Sequence, residues 1–359
     1  MTTKILTILG ARPQFVKAAV LSRIIKKHLD FEEIIVHTGQ HYDSNMSEIF
    51  FKEMEIPLPK YFLNINGLSH GAMTGQMMEK IEEIIIKEKP NVVVVYGDTN
   101  STLAGALATK KMNLKLVHIE AGLRSYNMNM PEEINRIITD RIGDLLLCPT
   151  DSAVENLKKE GFEHFSTKIL KTGDIMLDAV KYYSNVSAEK SKIYKQLNLI
   201  SGKFVLATIH RQENTDDLNN LKRIFDGLEQ INKDIKVVLP LHPRTRKILQ
   251  QNQISCSFEI IEPVGYFDML ELLKNCLMVV TDSGGLQKEA FINQKPVIIA
   301  REETEWVELV ENGFAKIVGS STEKMVAAFD YFKSLKLDFN KDLYGADVGE
   351  KIFDAIKHI

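Results

Sequence analysis

Apolar residues gather into short β-branched runs along the chain. In the first half these are Lys4–Leu9, Glu33–His37, Asn91–Tyr96, Leu114–His118 and Leu145–Cys148. In the second half they are Phe204–Ile209, Lys236–Pro240, Glu259–Glu262, Leu277–Thr281 and Pro296–Ala300. Most are continuous rather than alternating, which is how strands buried on both faces read. Between them lie amphipathic stretches such as Met73–Lys87 and Asp217–Ile231, with apolar residues three and four apart. Strands alternating with helices predict parallel sheets built from βαβ units. Two such series flank Lys171–Gly202, a stretch with a charged helical piece (Ser187–Asn198) and no long strand. The expected fold is therefore α/β, with two Rossmann-like doubly wound domains, residues 1–172 and 173–359, facing a cleft. The tail Asn340–Ile359 reads as a final helix, able to pack on its own domain or to cross back to the first.

Length supports two domains: 359 residues at ~150 per domain. Hydrophobic residues make up 44% and charged residues 26%, which excludes disorder, collagen and coiled coil as descriptions of the whole. Lys and Arg total 45 against 48 for Asp and Glu, a net charge of −3. That balance lacks the broad basic footprint of a duplex nucleic-acid binder, yet allows a small anion held by a few local cations. Cys148, Cys256 and Cys276 are far apart with no CxxC, which reads as reduced thiols. The opening MTTKILTILG is interrupted at Arg12 too soon for a signal peptide, and no apolar run approaches ~18 residues. The expectation is a cytoplasmic protein with no membrane partner.

Open α/β sheets hold ligands at the carboxyl ends of their strands, so the residues there carry the candidate chemistry. The first run ends Gly10-Ala11-Arg12-Pro13-Gln14 with Lys17 following, placing two cations near a helix start that already favours anions. The third ends Tyr96-Gly97-Asp98-Thr99, where Asp98 is either a helix cap or a functional carboxylate. The fourth ends His118-Ile119-Glu120, and Met130-Pro131-Glu132-Glu133 begins a helix soon after. Glu132 and Arg136 are four apart, the spacing of a surface ion pair on one helix face. In the second half, strands are followed by His210-Arg211-Gln212-Glu213-Asn214, by His242-Pro243-Arg244 and by Thr281-Asp282-Ser283-Gly284-Gly285. Ser283 and two glycines can turn backbone N–H groups toward a phosphate, and Glu289 lies just over one turn into that helix.

Polar groups at so many strand ends exceed what capping needs. Carboxylates beside a phosphate are electrostatically costly unless they move protons or bind metal. Metal is the poorer reading: no Asp-x-Asp, His-x-His, HExxH or cysteine pair occurs. GxSxG, GxGxxG and Walker A motifs are absent too.

GARPQFVK, VHTGQHYD, VVVVYGDTNSTLAG, HIEAGLRS, MPEEINR, CPT, HRQEN, LPLHPRTR and TDSGGLQKEA follow in that order. From Lys4 to Gly313 the chain strongly resembles the non-hydrolysing UDP-N-acetylglucosamine 2-epimerases. The resemblance implies two Rossmann domains of the glycosyltransferase-B type, usually as a homodimer. It implies interconversion of UDP-GlcNAc and UDP-ManNAc, by loss and re-addition of UDP through a 2-acetamidoglucal, with neither NAD nor metal. By matching position, it implies a catalytic set of Lys17, Asp98, Glu120, Glu132 and His210, with Arg136 beside the carboxylates. It implies UDP contacts from Arg12, His242, Ser283, Gly284, Gly285, Glu289 and Arg301, the first domain serving the sugar and the second UDP. Which carboxylate is acid and which base stays open.

The chain also departs from the family. Gly10-Ala11-Arg12-Pro13-Gln14 stands for the usual GTRPE, Thr304-Glu305-Trp306-Val307-Glu308 for TERPE, and Gly173-Asp174-Ile175 for Gly-Asn-Thr. The stretch His37–Tyr42 also differs from enzymes in which that region forms an allosteric UDP-GlcNAc site. These variants resemble the subgroup acting on UDP-2,3-diacetamido-2,3-dideoxy-glucuronate, a precursor of O-antigen and other bacterial surface polysaccharides. The competing readings are a hydrolysing 2-epimerase and a glycosyltransferase using a UDP-sugar.

Overall fold

Val92–Tyr96 reads VVVVY, and all five side chains are buried, as a strand covered by helices on both faces requires. The computed structural model, which describes residues 2–40, 51, 54, 56–241 and 243–359, builds its sheets from such strands. The chain divides into two compact units, the first formed by 1–179 and 342–359, the second by 180–341.

In the first unit the strands are β1 (Thr3–Leu9), β2 (Phe31–His37), β3 (Tyr61–Phe62), β4 (Val92–Tyr96), β5 (Lys115–Ile119), β6 (Leu145–Cys148) and β7 (Lys168–Lys171). They form one parallel sheet in the order β3-β2-β1-β4-β5-β6-β7. Strand order reverses between β1 and β4, so the residues after those two strands stand at the switch point where such sheets bind ligands. Gln14 ties the two ends together. Its side-chain oxygen accepts the N–H of Gly10 (2.7 Å) and Ala11 (3.0 Å), and its amide donates to the Tyr96 carbonyl (2.7 Å). An ionised glutamate could accept but not donate, so the departure at Gln14 suits a position that needs both.

The second unit repeats the plan with β8 (Phe204–Thr208), β9 (Lys236–Pro240), β10 (Glu259–Ile261), β11 (Met278–Thr281), β12 (Val297–Ile299) and β13 (Ala315–Ile317). Their order is β10-β9-β8-β11-β12-β13, all parallel, with the reversal between β8 and β11. Leu221, Phe225 and Leu228 of the helix Leu218–Asn232 share one core with Val205, Leu239, Met325 and Phe329.

Three strands escaped the sequence reading: β3, β7 and β13. Each lies at a sheet edge, spans two to four residues and is only partly buried. Such strands lack the continuous apolar run used as the signal. The helix Ile175–Lys190 is longer than the expected Ser187–Asn198 piece. The tail helix Val348–Lys357 packs on the helix Arg12–Ile25 of the first unit. A Cβ on Gly349 would lie 2.7 Å from Val20 Cγ1, so the helices can approach this closely only at glycine. Phe353 adds ring contacts with His28 and Phe31, at 4.4 and 5.1 Å. No helix among the described residues is long and apolar enough to cross a membrane.

Candidate active site

The first unit mounts three candidate groups on backbone just past β1, β4 and β5. Lys17, in the second turn of the helix Arg12–Ile25, is buried, and its Nζ lies 2.5 Å from Glu120 Oε1. Asp98 follows β4 and accepts from Arg136 Nη2 (2.6 Å) and Nε (3.0 Å). Each of these carboxylates thus faces a buried cation. Thr99, not Asp98, caps the helix Asn100–Lys111, its hydroxyl accepting from the Thr102 N–H. The capping expectation for Asp98 is thereby corrected, and its carboxylate goes to Arg136 instead.

Pro131 opens the helix Pro131–Ile142, with Glu132 and Glu133 in its first turn. The expected Glu132–Arg136 surface pair is replaced by a buried pair one residue along. Arg136 Nη1 lies 2.7 Å from Glu133 Oε2, three residues back, where rotation of the helix brings both side chains inward. Burial pushes the Glu133 carboxyl up, but the N–H groups of Ser125 and Tyr126 together with Arg136 outweigh it and hold the group below its ordinary range. Glu132 is half-buried, and no hydrogen bond or ion pair joins it to the described residues. Arg12 is the first residue of its helix and half-buried.

In the second unit, Ser283 caps the helix Gly284–Ile292 and accepts from the Leu286 N–H. A Cβ on Gly285 would meet nothing within 4 Å, so the approach to this helix start is open. A nine-residue helix with such a start offers backbone N–H groups to an anion. Arg301 is buried and grips Glu305 with Nη1 and Nη2, at 2.9 and 3.2 Å. Glu289 is half-buried on the same helix. His210, 44% exposed, follows β8. Asp282, fully buried after β11, accepts the N–H of His210 (3.0 Å) and of Arg211 (2.9 Å) and lies 3.4 Å from His210 Nδ1. His242 and the residues from His41 to Asp43 lie outside the described residues.

Residues 23–357 match the UDP-N-acetylglucosamine 2-epimerase family. The chain is 50% identical over 343 residues to the UDP-2,3-diacetamido-2,3-dideoxy-D-glucuronate 2-epimerase of Pseudomonas aeruginosa, covering 95% of this chain and 96% of that one. It is 40% identical over 360 residues to the UDP-N-acetylglucosamine 2-epimerase of Methanocaldococcus jannaschii, covering 97% of each. The crystal structure of the M. jannaschii enzyme with UDP-GlcNAc and UDP superposes with a TM-score of 0.90 at 39% identity, covering 100% of both chains. The chain belongs to the UDP-N-acetylglucosamine 2-epimerase family. Its two parallel sheets are those of the glycosyltransferase-B class. A Rickettsia africae glycosyltransferase shares the fold alone, at 16% identity and TM-score 0.56 over 99% of this chain and 93% of that one.

Within this epimerase fold, Glu133, Asp282 and Glu305 escaped the sequence reading although each contacts a candidate residue. Asp282 had a signal: it follows a strand just as Asp98 does. Glu133 and Glu305 had none, because an adjacent glutamate and an irregular loop do not disclose which way a side chain turns. His37 is a core residue. Its ring lies 5.0 Å from that of Phe15 and 4.4 Å from that of Phe62, and burial pushes its basicity down to about 4.

Two expected results follow from this geometry. Asp140 is fully buried. Burial raises its carboxyl, but His118 and Arg124 outweigh that and hold it below the ordinary range, as with Glu133. A lowered folded value stabilises the protein above the unfolded value of about 4 and withdraws that stability as pH falls through the folded value. The urea midpoint is expected to hold between pH 7 and 5 and to drop below about pH 4. A midpoint at pH 3 equal to that at pH 6 would contradict this. Trp306, the single tryptophan, is buried with Nε1 3.8 Å from where a Gly284 Cβ would sit, and Lys288 Nζ lies 4.3 Å from its ring centre. UDP at the helix start is expected to change tryptophan emission saturably. A flat titration, with binding seen by calorimetry, would place the nucleotide elsewhere.

Proposed function

We propose that the protein epimerises UDP-2,3-diacetamido-2,3-dideoxy-D-glucuronate at C2 without hydrolysing it. The observation that carries the choice of sugar is 50% identity along nearly the whole length to the P. aeruginosa enzyme of that name, against 46% to a UDP-N-acetylglucosamine 2-epimerase homolog of Methanococcus maripaludis and 40% to the M. jannaschii enzyme. The observation that supports the reaction is the arrangement of carboxylates in the first unit, each of Asp98 and Glu120 on its own buried cation.

In this reading one carboxylate removes the C2 proton. The electron pair forms the C1=C2 bond, and the C1–O bond breaks with its electrons leaving on UDP. A second carboxyl group, starting as the acid, gives its proton to the opposite face of C2 while UDP adds back to C1. The two carboxyl groups end with their protonation states exchanged, so atoms and charge balance and the product is an isomer. Asp98, Glu120 and Glu132 are the proton-handling groups. Lys17 and Arg136 stabilise charge beside them, and His210 is the catalytic group of the second unit. Ser283, Gly284 and Gly285 receive the diphosphate, Glu289 accepts from the ribose hydroxyls, and Arg12, His242 and Arg301 complete the UDP contacts. In this reading the reaction uses neither NAD nor metal: no step is a redox step, and side-chain cations stabilise the leaving diphosphate. The enzyme acts as a cytoplasmic homodimer in surface polysaccharide synthesis.

Proton NMR in D2O tests this, with UDP-GlcNAc and the diacetamido-glucuronate nucleotide in parallel. A manno product deuterated at C2 from the latter is the expected result. A C2-deuterated manno product from UDP-GlcNAc alone would correct the sugar. Free sugar with UDP would move the protein to the hydrolysing branch. UDP binding without exchange on either sugar would favour a transferase.

A further inference from the structure

We propose that His118 is a positioning residue that fixes the backbone carrying Asp98 and Glu120, an inference that rests on those carboxylates handling the C2 proton.

His118 lies within β5 and is fully buried between Val117 and Ile119. Its Nε2 is 2.7 Å from the carbonyl oxygen of Gly97, the residue before Asp98. Its Nδ1 is 2.7 Å from Asp140 Oδ1. A carbonyl only accepts, so Nε2 carries a proton. Asp140 receives Arg124 Nη1 (2.7 Å) and the Gly122 N–H (3.1 Å) on its other oxygen. The ring therefore bridges the Gly97 carbonyl and the Asp140 carboxyl.

The chain of contacts continues past Asp140. Arg124 donates to the Leu123 carbonyl (2.7 Å) and, through Nε and Nη2, to both oxygens of Glu160 (2.6 and 2.8 Å). One connected network thus runs from Gly97, beside Asp98, to Gly122, two residues past Glu120. Both ends of that span are conformationally demanding. Gly97 has φ 61° and Glu120, which carries a side chain, has φ 72°. A non-glycine residue in that region is strained and persists only when its surroundings over-determine it. The N–H groups of Glu120 and Ala121 share the Leu147 carbonyl, both at 3.1 Å, and the His118–Asp140 network holds the turn from the other side.

Packing alone does not ask for histidine here. An apolar side chain would suit a strand interior between buried Val117 and Ile119, and burying polar groups is costly unless every one is paired. His118 pairs them all, and both of its partners lead to the backbone of a candidate carboxylate. It acts through Gly97 and Asp140, not on substrate.

Glutamine and asparagine separate the two ends of the clamp. The Gln amide nitrogen reaches about where Nε2 sits, and that of Asn about where Nδ1 sits. His118→Gln keeps the Gly97 contact and His118→Asn keeps the Asp140 contact. Because a misplacement of about 1 Å can cost ~100-fold, kcat is expected to fall ~10- to 100-fold in His118→Asn, with KM and UDP affinity within about twofold of wild type. His118→Gln is expected to recover most of that loss. Glu160→Ala, at the partly exposed far end, releases Arg124 without opening the core and is expected to lower kcat about threefold or more by the same misplacement. Urea midpoints are read alongside, and kcat is compared in folded protein only. A folded His118→Asn enzyme with unchanged kcat overturns the proposal. So does a Gln variant no better than Asn, or a kcat unchanged in folded Glu160→Ala should neither His118 variant fold. Absence of C2 exchange in the wild-type enzyme on either sugar overturns the functional reading instead, and is scored first.

Discussion

Asp98→Asn is expected to cut turnover by at least ~100-fold while UDP binds with near-normal affinity. The amide keeps an acceptor for Arg136, whose Nη2 and Nε both reach Asp98 Oδ2, so local geometry survives while the proton-handling carboxyl is lost. Asp98 is partly open to solvent, 28% exposed, so the neutralised site is not left with a fully buried orphan. Apart from Arg12, UDP's proposed ligands stand on the second unit and Asp98 on the first, which is why binding and turnover should separate. Glu120→Gln should lose turnover similarly but at a cost in stability, because it leaves Lys17, only 6% exposed, facing a neutral amide. Breaking a buried pair from one side costs about 3–5 kcal/mol, so this variant must be compared at matched folded fraction. Calorimetry with UDP and NMR turnover decide the matter. A folded Asp98→Asn enzyme that keeps wild-type turnover would remove Asp98 from the chemistry.

Most of the fold was legible because its central strands are buried on both faces and so appear as uninterrupted apolar runs. Three of the four edge strands were not, since a strand such as KILK, paired on one side only, needs little apolar surface. The positions of the candidates past strand ends were legible for a related reason. In a parallel sheet the chain order of strands and the positions of their carboxyl ends follow from the βαβ alternation itself. The pairings among candidates were another matter. Spacing joined Glu132 to Arg136, but tertiary burial turned Arg136 inward to Glu133 and to Asp98, 38 residues earlier. His118 shows the limit most plainly. Its position in a strand reads as core, and its role emerges only from what its two nitrogens touch.

Gly122→Ala is expected to destabilise the first unit by about 3 kcal/mol, combining backbone strain with overpacking. Gly122 has φ 80°, and a Cβ there would lie 2.5 Å from the Ala153 carbonyl oxygen, which is fixed backbone rather than a movable side chain. Ala153 sits in the first turn of the helix Asp151–Lys159, so relief would require shifting that helix or the loop. The loop resists, because the Gly122 N–H is committed to Asp140 and its carbonyl to Asn156 Nδ2 (3.0 Å). The strain therefore reaches Glu120, two residues earlier and already in the left-handed region. Turnover is expected to fall together with the urea midpoint in this variant, whereas Asp98→Asn loses turnover at a nearly unchanged midpoint. A Gly122→Ala protein as stable as wild type would show that the 120–122 turn is not held rigidly. It would also weaken the case that a buried network fixes the carboxylate beside it.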